Sequence, residues 1–110
     1  MSQYAVRSKI TKCIDDEGYP SFVECEFEDA FGTAHQFQDK DVIFTVETLD
    51  RNSNYPQDGS VDCEIIEKRC ENGRNIVKVD TERPSGIEST TGKTIFEVLE
   101  EQIVEIGSSG

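Results

Sequence analysis

Between Ser21 and Glu28 the side chains sort onto two faces at a period of two. Val23, Cys25 and Phe27 fall on one side, and Phe22, Glu24, Glu26 and Glu28 on the other. A period of two over this length predicts a strand with one face on a core and one in water. Gln3 to Ile14 reads the same way: Tyr4, Val6 and Ile10 share a face with Ser8 between them, while Arg7, Lys9 and Thr11 share the opposite face. Asp15-Asp16-Glu17-Gly18 then breaks the pattern, as turn residues do. A second turn is expected at Asp29-Ala30-Phe31-Gly32, after which Thr33 to Gln38 returns antiparallel with His35 and Phe37 on one face. Asp39-Lys40-Asp41 interrupts. Val42 to Thr48 is a further β-branched run, expected to form a strand with Val42, Phe44 and Val46 on one face and Leu49 adding to the core.

Ser60 to Glu82 holds the clearest hairpin, because Asn72-Gly73 lies between two β-rich runs. Two registers are open to it. A two-residue loop sets Ile66 opposite Val79 and Lys68 opposite Val77. A three-residue loop, Glu71 to Gly73 with Gly73 left-handed, sets Ile65 opposite Val79 and Glu67 opposite Val77. Only the second collects Val61, Cys63, Ile65, Val77 and Val79 on one face, and a slip of one residue reverses every side chain. The pattern therefore favours the three-residue loop. Two polar stretches read as surface loops: Asp50 to Gly59, which contains Tyr55-Pro56, and Arg83 to Gly92, whose one apolar residue, Ile87, is expected to plug the core edge. Lys93 to Leu99 alternates like a strand, although Phe96, Leu99, Ile103 and Ile106 also fit one helical face. Glu100 to Ile106 is expected to form a short helical turn or a last strand.

Short strands punctuated by turns predict an all-β, mostly antiparallel fold: a small six-stranded barrel or sandwich with at most one short C-terminal helical turn. The 110 residues fit one domain over 1–106, with a flexible tail at 107–110. Hydrophobic residues make up 35%, and six Phe and three Tyr supply the bulky core candidates.

Charge narrows the partners. The 23 acidic and 11 basic residues give a formal net charge of −12. Such a field repels DNA and anionic membranes and attracts a basic protein surface. The four Cys (Cys13, Cys25, Cys63, Cys70) follow no apolar N-terminal leader, so the expectation is free thiols in a cytoplasm. The chain's one histidine, His35, makes a Cys25–His35 pair conceivable, but a strand histidine is ordinarily structural. The cysteine spacings lack the close pairs of structural zinc sites. Gly92-Lys93-Thr94 has no glycine at the upstream position that a phosphate loop needs, since Ile87 stands there. No cofactor, metal ligand or catalytic residue is expected. The candidate site is the acidic strand and its surroundings, Phe22, Glu24, Glu26, Glu28 and Asp29, with Tyr55 as a contact in the first long loop. Sequence leaves the oligomeric state open.

The hairpin with its Glu71-Asn72-Gly73 turn and the closing TIFEVLEEQI resemble, in architecture, the small six-stranded barrels of translation factors. In size and charge the chain is similar to the small acidic immunity proteins that neutralise bacterial toxins. The latter resemblance implies a non-enzymatic protein that binds a basic toxin. The former implies an accessory barrel that uses its two long loops. A small hydrolase or metal-site protein is the third reading.

Overall fold

The computed structural model describes residues 3–106, and the tail expected at 107–110 lies outside them. Seven strands form, all paired antiparallel: β1 (Gln3–Asp15), β2 (Phe22–Glu28), β3 (Ala34–Lys40), β4 (Gln57–Glu71), β5 (Arg74–Asp80), β6 (Ile95–Leu99) and β7 (Ile103–Ile106). Six of them make one curled sheet in the order β3-β2-β1-β4-β5-β6. The seventh arises because a 3-10 turn at Glu100–Gln102 divides the C-terminal segment, so that β6 pairs β5 whereas β7 pairs β1. Both C-terminal alternatives left open by the sequence thus occur in succession. Among the described residues no helix is long and apolar enough to cross a membrane.

Strand β1 is shared along its length. Gln3 to Val6 pair with β7, while Lys9 to Asp15 pair with β2 on the same side. The other side of β1 pairs with Gln57–Cys63 of β4. Beyond Cys63, β4 changes partner and pairs with β5. The sheet curls until its two ends, β3 and β6, face each other. The Ala30 amide donates to the Glu97 carbonyl (2.8 Å) and the Thr90 amide to the Gln36 carbonyl (2.9 Å), so loops rather than a ladder bridge the seam. The edges that unpaired strands would expose are thereby partly covered.

The apolar alternation read from the sequence lines the core: Val6, Ile10, Val23, Cys25, Val61, Val77, Val79 and Val98 are buried. Aromatic rings close the seam. Phe27 stacks on Phe37 and meets Phe96 edge-on, each at 5.3 Å between centroids, and His35 meets Phe96 at 4.8 Å. Pairs of this geometry contribute about 0.5–1.5 kcal/mol each beyond burial. Ile87 is buried as expected, and the Thr81 hydroxyl donates to its carbonyl at 2.7 Å.

Three expectations are corrected. The β4–β5 loop has two residues, not three: Glu71 pairs Arg74, and both Asn72 (φ 50°) and Gly73 (φ 76°) are left-handed. That conformation matches the strand twist, which is why Asn-Gly favours it. Lys68, not Glu67, therefore lies opposite Val77. A bulge between Ile65 and Glu67 then absorbs one residue and restores Ile65 opposite Val79. The turn follows its local preference, the core keeps its apolar face, and Ile66 is left half exposed. The second correction is at 42–48, where no strand forms. Asp41–Phe44 makes a single helical turn, α1, followed by irregular chain. Asp41 causes this. Its carbonyl accepts from the Thr45 amide (3.0 Å), and its buried carboxylate accepts from the Leu49 amide (3.0 Å). Phe44 and Leu49 turn inward, whereas Val42 is 56% and Val46 100% exposed. The first polar loop is also shorter than expected, because β4 begins at Gln57.

Candidate functional site

The outer face of β1-β2-β3 carries the acidic strand. Glu24 and Glu26 are half-buried, Glu28 is exposed, and Phe22 at the head of the strand is 37% exposed. Cross-strand neighbours of Glu24 are Lys12 and Gln38, and those of Glu26 are Lys9 and Gln36. The carboxylates are held by neutral donors: Glu24 accepts from Thr11 Oγ1 (3.3 Å) and Gln38 Nε2 (3.2 Å), and Glu26 from Gln36 Nε2 (3.4 Å). Lys9 pairs with Asp58 on β4 instead, and that pairing lowers the carboxyl pKa of Asp58. Among the described residues, Glu24, Glu26 and Glu28 form no ion pair.

Asp29 and Tyr55 do not join this face. The Asp29 side chain is 11% exposed and both its oxygens are engaged. Oδ1 accepts from the amides of Phe31 (2.9 Å) and Thr33 (3.0 Å), while Oδ2 lies 2.8 Å from His35 Nε2. Burial pushes the Asp29 carboxyl up, but the bonds from His35, Thr33 and Phe31 together outweigh it and hold the group below its ordinary range. Its role is to fix the β2–β3 turn. Arg74 braces the same turn through the Ala30 carbonyl (2.8 Å). Tyr55 packs half-buried against the core and donates its hydroxyl to the Asp50 carbonyl at 2.6 Å. Arg51 bonds Asp16 through Nε (3.0 Å) and Nη2 (2.6 Å), tying the first long loop to the β1–β2 turn.

Among the described residues, Cys25 and His35 are not bonded to each other. Cys25 lies opposite Phe37, and His35 lies opposite Phe27 and is bonded to Asp29. Burial pushes the thiols of Cys25 and Cys63 up to about 12 each, far from the thiolate form that attacks carbonyls. Among the described residues no group of three His, Cys, Asp or Glu side chains is placed to hold a metal ion.

Val42 and Val46 form an exposed apolar patch. The expected strand, with Val42, Phe44 and Val46 on one face, did not separate them from Phe44. The signal against that was Asp41, whose short acidic side chain favours turns by bonding nearby amides. Comparison with protein-family models, with curated proteins and with solved structures finds no match.

Proposed function

We propose that the protein acts by binding rather than catalysis, and that its ligand is a protein with a basic surface. The observation that carries this reading is the ladder of Glu24, Glu26 and Glu28, which shares one sheet face and forms no ion pair among the described residues. Carboxylates held by Gln and Thr are oriented without being neutralised, so their charge stays available to an incoming cation. The net charge of −12 adds a long-range field that speeds encounter with a basic partner. Inhibition of a basic toxin, as an immunity protein does, is the concrete form of this role. The long loops that an accessory-barrel role would use turn Tyr55 and Ile87 inward, so the acidic face is the better supported site.

The test is association at low salt. A basic protein should be retained on the immobilised chain, released as ionic strength shortens the screening length towards about 8 Å at 0.15 M, and lost with Glu24→Lys/Glu26→Lys/Glu28→Lys. Unchanged retention by that variant would refute the proposal.

A further inference from the structure

Two cavities share a wall. The first, about 670 Å³, lies where β2 and β7 diverge along β1; Glu26, Glu28, Arg7 and Val104 line it. The second, about 450 Å³, lies under α1 and the chain after it; Val42, Val46, Asp62 and Ile106 line it. Asp58, Gly59 and Ser60 of β4 line both. The acidic ladder is thus continuous, across β4, with the exposed apolar patch of Val42 and Val46.

We propose that this continuous groove is the partner's footprint: the basic protein sets cationic side chains on Glu26 and Glu28 and an apolar side chain on Val42 and Val46. The proposal rests on the acidic-face reading above and names the chemistry of the partner, an amphipathic segment with basic and apolar residues side by side. Charge selects the occupant. The shared groove holds Glu26, Glu28, Asp58 and Asp62 against Arg7 and Lys9, and Lys9 is already paired with Asp58. A second copy of the chain, also at −12, is repelled from such a surface, whereas a basic segment is drawn to it. The arrangement has the anatomy of a protein interface, an apolar centre beside a charged rim. Val46, wholly solvent-exposed, gains most from being covered.

Two synthetic peptides of equal length and charge serve as probes, one alternating lysine with leucine and the other lysine with serine. Titration followed by fluorescence anisotropy should show the leucine peptide binding about tenfold more tightly, the gain from burying roughly one valine-sized surface. In Val42→Ser/Val46→Ser that preference should vanish, with the serine peptide binding as it does to the wild type. Val46→Ser alone, at a position that packs against nothing, should remove most of the preference with an unchanged far-UV spectrum. Equal binding of the two peptides to the wild type, or a preference that survives both variants, overturns the groove. The acidic-face reading still stands in that case if Glu24→Lys/Glu26→Lys/Glu28→Lys abolishes binding of the serine peptide. If that reversal leaves both peptides bound, the acidic-face reading fails and this inference falls with it.

Discussion

Replacing Asp29 should loosen the turn that closes the barrel seam, and the side-chain contacts set the size of the effect. In Asp29→Ala the imidazole of His35, 10% exposed, loses its one side-chain hydrogen-bond partner among the described residues; leaving a buried polar group unpaired costs about 1–3 kcal/mol. The amides of Phe31 and Thr33 lose an acceptor as well, but they lie in an exposed turn where water replaces it, so each contributes only about 0.5–1 kcal/mol. The expected loss is therefore about 2–5 kcal/mol, a sizeable part of the 5–15 kcal/mol typical of a domain. Asp29→Asn keeps an acceptor for both amides but replaces the charged acceptor facing His35 with an NH2 donor, which the imidazole meets only with an unprotonated Nε2, so about 1 kcal/mol is expected. Urea unfolding followed by circular dichroism reads both values from the midpoint at constant slope. Hydrogen exchange adds a local measure: the Ala30 amide, bonded to the Glu97 carbonyl across the seam, should lose protection in the Ala variant. The pH dependence has a fixed sign. The Asp29 carboxyl titrates lower in the folded chain than in the unfolded one. Its stabilisation is thus complete above the unfolded value of about 3.9 and disappears as pH falls through the lower folded value. The gap between wild type and Asp29→Asn should accordingly narrow below about pH 4. Equal losses for Ala and Asn, or unchanged protection of Ala30 in the Ala variant, would refute this role of Asp29 in fixing the turn.

Two further substitutions probe the packing that sets α1 against the sheet. Gly59→Ala would place a Cβ 2.9 Å from Ile10 Cγ1 and 3.2 Å from the Phe44 carbonyl oxygen; overpacking of this kind costs about 1–3 kcal/mol, and thermal unfolding should show a lowered midpoint with strand content retained. Asp41→Ala removes the acceptor of the buried Leu49 amide, so about 1–3 kcal/mol should be lost in urea unfolding; a neutral result would mean that Asp41 does not shape 41–49. Asp41 Oδ1 is the one buried side-chain oxygen or nitrogen without a partner among the described residues, which limits the loss on that side of the carboxylate.

Most of the core was legible in the residues themselves. The alternation in 21–28 placed Val23, Cys25 and Phe27 inward, and the same rule placed Tyr4, Val6, Ser8 and Ile10 on the inward face of β1. The hairpin at Asn72-Gly73 was legible as a turn, but its register was not. Two local rules conflicted there, and the bulge at Ile66 that satisfies both is not encoded in either. The candidate site was legible only in part. Phe22, Glu24, Glu26 and Glu28 do share a face, because parity along one strand fixes that. Asp29 follows Glu28 and so has the opposite parity, and its partner His35 comes within bonding distance only when β3 folds back.

The chain's pattern alone determined that this is an antiparallel β protein with an apolar inner face, an acidic outer strand and a large negative charge. Those properties depend on side-chain type and a period of two, both local. The tertiary structure alone decided that β1 serves three strands, that β3 and β6 meet across a seam, and that Val42 and Val46 face water. It also decided that the acidic strand is continuous with them across Gly59. Each of these depends on which distant segment reaches a given edge or carboxylate first, and that competition is settled by loop lengths and packing.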